Sequence, residues 1–195
     1  MIKPESPAPF PAKVSQIDHV LGAASAKITL IEYGDFECTS CGQAYHAVKI
    51  LRNRFGGDLR FVFRHFPLRL AHPHAELAAE AAETAGAQHK FWPMHDLLFE
   101  NQLHLKEKNL RSYAEKLELD LLRYDQEIDD HTYLQRIQES IENGTQGNIR
   151  STPAFFVNGV LHDVSFDLER LDLAIASELA HRARSKTHPA IHDIS

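Results

Sequence analysis

The sequence has no long apolar run, no strong excess of one charge and very few cysteines. No stretch approaches the roughly 18 uninterrupted apolar residues of a membrane-spanning helix. The 21 basic and 27 acidic residues give a net charge of −6 without a basic stripe, which argues against a nucleic acid partner. With 43% hydrophobic and 25% charged residues, the 195-residue chain has the composition of a globular protein, which excludes long disorder and collagen-like repeats.

The amino-terminal segment also lacks the apolar core of a secretory signal. Residues 1–16 contain four prolines, which predicts a flexible lead. On this basis we expect a cytoplasmic protein; a chain from which a signal had been removed would show the same pattern. The polar residues 184–195 predict a flexible tail.

The first part of the domain, residues 17–66, reads as strand, helix, strand. Lys27–Tyr33 is short, apolar and β-branched, which favours a buried strand. A helical pattern starts near Cys38 and ends at Gly56-Gly57, and Leu59–Phe66 reads as a second strand. A helical connection of this length predicts that the two strands are parallel and that the crossover is right-handed.

Residues 67–148 predict an all-helical insertion, because every periodic pattern in them is helical. Asn109 and Asp120 are expected to cap two of these helices, and Asn143-Gly144 to end the last. Residues 149–183 return to strand, strand, helix: Asn158-Gly159 between two apolar runs is a strong hairpin signal, and the helix is expected from Asp167. The fold class is therefore α/β, β-α-β followed by a helical block and β-β-α.

The chemistry is concentrated in the two cysteines, Cys38 and Cys41, which lie where a strand gives way to a helix. Unpaired N–H groups and the positive end of the helix dipole stabilise a thiolate at such a position. Cys41 is one turn deeper and close enough to form a disulfide with Cys38. A reactive sulfur with a shielded partner is what thiol–disulfide exchange requires, so we predict a redox pair.

Other interpretations of the cysteines remain. They could form half of a zinc site with histidines such as His65, His72 or His74, although a second close ligand pair at regular spacing is missing. They could also be a redox sensor without catalytic turnover. A glutathione-dependent transferase or isomerase is a further, enzymatic alternative, in which the second cysteine would be dispensable.

Two more features accompany the cysteines. Glu32 lies within the apolar strand, where a buried carboxyl would have a raised pKa and could exchange a proton with Cys41; an exposed Glu32 without a role is the alternative. Thr152-Pro153 precedes the next strand. A cis bond there would leave the Thr152 backbone free to pair with an extended peptide.

The combination resembles the DsbA-like group of thiol–disulfide oxidoreductases. The runs EYGDFEC, RHFPL and TPAFFVNG, with Cys38-Thr39-Ser40-Cys41 and Thr152-Pro153, are similar to habitual runs of that group from about Asp18 to Leu179. The resemblance implies a thioredoxin-like fold with a helical insertion, with Pro153 in cis. It implies Cys38 as nucleophile, Cys41 as resolving thiol and Glu32 as the buried acid.

The resemblance also implies partners: protein or peptide substrates with thiols or disulfides, and a separate redox protein that recycles the pair. No cofactor or metal is expected, because the redox centre is the disulfide itself. Phe36, Thr39 and Ser40, next to the cysteines, are candidate substrate contacts, with core packing as the alternative for Phe36. The group's periplasmic oxidants have a histidine between their cysteines, whereas this chain has Thr39-Ser40. We therefore expect a less oxidising pair and a Cys38 pKa not far below neutral.

Overall fold

The computed structural model describes residues 13–162 and 169–187. These residues contain a five-stranded sheet and seven α-helices. The strands are β1 (His19–Leu21), β2 (Ile28–Gly34), β3 (Leu59–His65), β4 (Ala154–Val157) and β5 (Val160–His162). The helices are α1 (Thr39–Phe55), α2 (Ala75–Ala87), α3 (Phe91–Glu100), α4 (Glu107–Lys116), α5 (Leu121–Asp129), α6 (Leu134–Gln146) and α7 (Glu169–Thr187).

The sheet has the order β1-β3-β2-β4-β5, with β2 at its centre. β2 and β3 are parallel, as predicted, and pair from Ile28 opposite Leu59 to Gly34 opposite His65. β4 is antiparallel to β2, and the β4–β5 hairpin turns at the predicted residues Asn158 and Gly159. The sequence did not predict β1, an edge strand of only three residues that is antiparallel to β3.

Apolar side chains of α1 face the central strands, which fixes how the cysteines meet the sheet. The buried positions of α1 recur at spacings of three and four along the helix. They are Cys41, Gly42, Ala44, Tyr45, Val48 and Leu51. Because Cys41 is one of these buried positions, its side chain is part of the core. Thr39 and Ser40, which precede it in the helix, are exposed.

The helical insertion consists of α2 to α6 and joins β3 to β4, as predicted. Asp120 caps α5 by accepting a hydrogen bond from the Arg123 N–H at 3.1 Å. The other two predicted helix boundaries are wrong. The first turn of α4 begins at Glu107 and not after Asn109. α6 continues through Gly144 to Gln146, so this glycine does not end the helix. It is required by packing, because a Cβ at this position would lie 2.7 Å from the ring of Phe66.

The ends of the chain test the predicted boundaries only in part. α7 continues to Thr187, so the predicted start of the tail at residue 184 is wrong. Residues 1–12 of the predicted lead, the predicted helix start at Asp167 and residues 188–195 lie outside the described residues. No helix in the described part of the chain is long and apolar enough to cross a membrane.

Candidate active site

The structure places Cys38 at the start of α1 and Cys41 inside its first turn. Cys38 is the N-cap residue, with an extended backbone (φ −75°, ψ 120°), and the N–H of Gly42 donates to its carbonyl at 3.1 Å. Both cysteines are free thiols and both are buried. Cys38 is 8% exposed, whereas Cys41 is 0% exposed. Cys38 is therefore the less deeply buried of the two.

The environment of Cys38 favours its thiolate. A hydrogen bond from the Cys41 thiol, together with the backbone N–H groups of Ser40 and Cys41, lowers the pKa of Cys38 to about 5. Partial burial opposes this shift without cancelling it. The pKa of Cys38 thus lies further below neutral than we expected from the sequence. No histidine stands between the cysteines, but the backbone N–H groups at the helix terminus and the Cys41 thiol stabilise the thiolate.

The environment of Cys41 has the opposite effect. Burial, the hydrogen bond to Cys38 and the charge of Glu32 raise the pKa of Cys41 well above its ordinary value. The N–H of Asp35 donates to Cys41 Sγ at 3.4 Å and opposes this shift only in part. Cys41 is therefore a protonated thiol at neutral pH, ready to donate a hydrogen bond to Cys38.

Glu32 lies on β2, and its side chain is buried in the core. Of the two alternatives that the sequence left open, the buried carboxyl is therefore the correct one. It is 2% exposed, and burial followed by the negative charge of Cys38 raises its pKa to about 8. Its Oε1 atom has no hydrogen-bond partner in the described structure. The side chain borders a cavity of about 60 Å³ that extends past Tyr45 and Trp92 to the surface residue Lys49. This volume is enough for one or two water molecules.

The segment that precedes β4 closes the other side of Cys38. The Thr152–Pro153 peptide bond is cis, and the Thr152 carbonyl oxygen lies 3.4 Å from Cys38 Sγ. Pro153 is partly exposed, and Thr39 and Ser40 are exposed beside the sulfur. Of the predicted substrate contacts, Thr39, Ser40 and Pro153 are thus at least partly exposed near Cys38, whereas Thr152 is buried at 8% exposure.

Phe36 is the predicted substrate contact that the structure contradicts. It is 1% exposed, and its ring packs against Phe63 and Phe99 at centroid distances of 5.2 and 4.9 Å. Phe99, which lies on α3, covers the ring of Phe36 that we expected to contact a substrate. Phe36 therefore belongs to the core.

Gln102 is a residue of the site that sequence reasoning missed. It follows α3, and its Nε2 donates to the carbonyl oxygens of Phe36 and Cys38 at 2.9 and 2.8 Å. Gly42 leaves the room for this side chain, because a Cβ at Gly42 would lie 2.1 Å from Gln102 Oε1. The glycine directly after Cys41 was the available signal, although nothing in the sequence paired it with residue 102.

We expect Gly42→Ala and Gln102→Ala to weaken the site similarly, because either change removes the two hydrogen bonds that hold the loop before Cys38. Each hydrogen bond contributes roughly 1 kcal/mol, so we expect a loss of about 2 kcal/mol in unfolding free energy. Urea denaturation measures this loss. Gln43→Ala, at an exposed position beside Gly42, is the control. A loss confined to Gly42→Ala would show that the methyl group acts through another contact.

Two histidines of the segment between β3 and α2 lie next to the cysteine motif. His72 Nδ1 is 2.7 Å from Asp35 Oδ2, and His74 Nδ1 is 2.8 Å from Glu37 Oε1. Both carboxylates lie within the three residues that precede Cys38. The sequence singled out these histidines as possible zinc ligands, and the structure places them beside the loop that leads to Cys38.

The predicted zinc alternative has no counterpart in residues 13–162 and 169–187. The single group with metal-ligand geometry in this part of the chain is His19, His65 and Glu83, which includes neither cysteine. Glu83 Oε1 lies 3.0 and 2.9 Å from the Nε2 atoms of His19 and His65. Arg136 Nη1 lies 3.0 Å from Glu83 Oε2 and its Nη2 3.3 Å from His19 Nε2, so a positive charge already stands beside two of the three candidate ligands.

The sequence matches a family model described as "Thioredoxin" over residues 15–177. A curated relative is "Na(+)/H(+) antiporter NhaA 1" of Salinispora arenicola (strain CNS-205), which is 46% identical over 163 residues. The match covers 84% of this chain and 25% of that protein. This chain therefore spans about a quarter of the length of the curated relatives that it matches.

Two solved structures share the fold. BdbD from Bacillus subtilis in its oxidised form has a TM-score of 0.75 and 24% identity, over 83% of this chain and 92% of that one. The alpha-DsbA1 of Wolbachia pipientis has a TM-score of 0.75 and 21% identity, over 90% and 96% of the two chains. The family match over most of the chain and the shared architecture confirm the predicted fold: the chain belongs to the thioredoxin family, with the helical insertion of a DsbA-type structure.

Proposed function

We propose that this domain is a thiol–disulfide oxidoreductase in which Cys38 is the nucleophile and Cys41 the resolving thiol. The observation that carries the proposal is the opposite shift of two pKa values within one pair. The pKa of Cys38 falls to about 5, while the pKa of buried Cys41 rises. An accessible thiolate beside a shielded thiol is the arrangement that exchange requires.

The oxidation of a substrate dithiol would proceed through a mixed disulfide. A substrate thiolate attacks Cys38 Sγ, the Cys38–Cys41 bond breaks, and Cys41 leaves as a thiolate that must take up a proton. A second substrate thiolate then attacks the substrate sulfur of the mixed disulfide and releases the Cys38 thiolate. Two electrons pass from the substrate to the cysteine pair, and the reverse sequence reduces a substrate disulfide.

Glu32 is suited to supply the proton that Cys41 needs. With a pKa of about 8 it carries a proton at neutral pH, and once it has given up that proton its negative charge raises the pKa of Cys41. The cavity beside Glu32 leads towards solvent, so water there could return the proton after each turnover. Glu32 thus acts as a general acid when Cys41 leaves and as a base when Cys41 attacks.

Protein or peptide substrates fit the surface around Cys38. The pairing of β4 with β2 begins at Ala154 opposite Tyr33, so Thr152 lies beyond the end of the ladder. An extended peptide can use backbone groups of such a residue, which would place a substrate sulfur beside Cys38. Thr39 and Ser40 border the same position and would contact the residues that flank the substrate cysteine.

Two of the three alternative functions fit the site less well than thiol–disulfide exchange does. A glutathione transferase or isomerase would not need the hydrogen bond from Cys41 that stabilises the Cys38 thiolate. A zinc-holding module would need further ligands at the cysteines, and the neighbouring His72 and His74 are paired with Asp35 and Glu37. The redox centre is thus proposed to be the cysteine pair itself, without a cofactor.

The relatives named as antiporters do not change this proposal. The shared region is a quarter of their length, so the ion exchange in their names describes a much longer protein. We assign thiol–disulfide exchange to the shared region. The identity of the recycling partner and the cytoplasmic location stay predictions.

The first test is the reduction potential of the pair, measured by equilibration with glutathione buffers and trapping of free thiols. A Cys38 pKa between those of thioredoxin and DsbA predicts a two-electron transition between their potentials of roughly −270 and −120 mV. The oxidised protein should also oxidise a peptide with two cysteines. A pair that forms no disulfide under any of these buffers would contradict the proposal.

A further inference from the structure

Two carboxylates stand immediately before the proposed nucleophile, in the run Asp35-Phe36-Glu37-Cys38. The side chain of Asp35 is 0% exposed, and that of Glu37 is 20% exposed. Negative charges so close to Cys38 oppose a thiolate, since a like charge disfavours the ionised form. A positive charge beside either carboxylate would therefore favour the Cys38 thiolate.

Two imidazoles from the segment that joins β3 to α2 contact these carboxylates. His72 Nδ1 lies 2.7 Å from Asp35 Oδ2, and His74 contacts both oxygens of Glu37, with its backbone N–H at 2.7 Å and Nδ1 at 2.8 Å. These pairs connect the insertion to the active-site loop across 37 residues of sequence. They place the two histidines of one His-Pro-His run against the two carboxylates of one Asp-x-Glu run.

The position of Asp35 fixes the geometry of the His72 pair. Its carboxylate also accepts the N–H groups of Glu37 and Leu68, both at 2.8 Å, while its own N–H donates to Cys41 Sγ. The Asp35 carboxylate therefore has three hydrogen-bond donors and no contact with solvent. His72 is the one donor of the three that can carry a charge.

We propose that His72 is a positioning residue that acts through Asp35 and supplies the positive charge that Cys38-Thr39-Ser40-Cys41 lacks. The imidazolium neutralises Asp35 and thereby stabilises the Cys38 thiolate, and its deprotonation makes the pair less oxidising as the pH rises. The His74–Glu37 pair is a second contact between the same two segments, at a more exposed position. This inference rests on the proposed exchange at Cys38.

The titration of His72 is consistent with this role. Burial lowers its pKa, but the hydrogen bond to Asp35 and the charges of Asp35, Cys38 and Glu37 raise it by more. Asp35 has the largest of these raising effects, followed by Cys38 and Glu37. Coupling is reciprocal, so a thiolate that favours protonated His72 is itself favoured by it. When the pair forms a disulfide, the thiolate charge disappears and His72 binds its proton less tightly.

The direct test is His72→Asn, in which the amide nitrogen can still donate to Asp35 but cannot carry a charge. We expect the acid dissociation constant of the Cys38 thiol to fall about tenfold, which is one pKa unit, in a titration of thiolate ultraviolet absorbance. His131→Asn is the matched control, because His131 pairs with Glu80 at 3.0 Å in the helical insertion. An unchanged Cys38 pKa in His72→Asn, or an equal shift in His131→Asn, would overturn the inference.

Two further measurements separate charge from structure. In the unmodified protein, NMR titration of His72 should give a higher pKa in the reduced than in the oxidised state; equal values would contradict the coupling. The double variant His72→Asn/Asp35→Asn removes both charges and should bring the Cys38 pKa back towards its original value. Oxidation of a dithiol peptide tests the exchange itself. If exchange is normal but neither titration shifts, the inference fails alone; if the titrations shift without exchange, the proposed function fails.

Discussion

Replacement of Cys38 by serine is expected to abolish exchange, whereas replacement of Cys41 by serine is expected to stop the reaction at a mixed disulfide. Cys38 is the proposed attacking thiolate, since its pKa is about 5 and it is less deeply buried than Cys41. A serine hydroxyl is far less acidic and cannot form a stable bond to a substrate sulfur. Cys41 is fully buried, so its loss leaves the attacking sulfur in place and removes the group that releases the substrate.

Incubation of each variant with a disulfide peptide, followed by mass spectrometry under acidic conditions, separates these outcomes. The Cys41→Ser protein should gain the mass of one peptide, and the Cys38→Ser protein should gain none. Adducts on both variants would show that Cys41 is accessible, in conflict with its burial. Unimpaired turnover by Cys41→Ser would favour the glutathione-dependent alternative.

Two substitutions of Cys41, by serine and by alanine, test the origin of the low pKa of Cys38. The hydrogen bond from Cys41 is the largest stabilising influence on the Cys38 thiolate, and a serine hydroxyl is also a donor. Cys41→Ala removes that donor and should therefore raise the pKa of Cys38 more than Cys41→Ser does. The pH dependence of alkylation by iodoacetamide, with its midpoint near pH 5 in the unmodified protein, measures the difference.

The features predicted correctly from the sequence depend on neighbours along the chain. The helix that begins at the cysteines, the parallel strands β2 and β3 and the Asn158-Gly159 hairpin each follow from a local pattern of apolar and turn-forming residues. Glu32 was left open between core and surface, because a single polar residue in an apolar strand fits either face. Only the tertiary packing against the strand decides between the two faces, and it places Glu32 in the core.

The features that were missed or wrong depend on residues far apart in the sequence. The Gln102 contacts with the active-site loop span 66 and 64 residues, and the His72–Asp35 pair spans 37. Phe36 was taken as a substrate contact because it adjoins Cys38, yet Phe99 of the insertion covers it. A local pattern shows that a residue is apolar or ionisable, but tertiary packing determines which of its sides is covered.

Glu32 should make the protein less stable at neutral pH, and Glu32→Gln should remove this cost. Its pKa is about 8 in the folded protein against 4.5 for an unperturbed glutamate. Between these values the unfolded chain releases a proton that the folded protein retains, so stability falls as the pH rises through this window. At pH 7 the difference corresponds to about 3 kcal/mol, which Glu32→Gln should add to the free energy of unfolding.

Glu83 provides a matched comparison with the opposite sign, since both carboxyls are 2% exposed. Burial raises the pKa of Glu83, but hydrogen bonds from His19 and His65 outweigh it and lower the pKa below its ordinary value. Its stabilisation is present above the unfolded pKa and is lost as the pH falls. Glu83→Gln should therefore destabilise the protein at pH 7 by about 3 kcal/mol in urea denaturation. Equal effects of the two substitutions would contradict these opposite environments.

The stability that Glu32→Gln adds should be accompanied by slower exchange. The amide cannot give a proton to Cys41 when the disulfide opens, so Cys41 must leave as a thiolate in a fully buried position. The step that forms or resolves the mixed disulfide should then lose its dependence on a group with a pKa near 8. A variant that is more stable and equally fast would show that Glu32 has no part in proton transfer. If Glu32→Gln is more stable and also slower in exchange, the buried carboxyl of Glu32 lowers the stability of the folded protein and at the same time speeds the reaction.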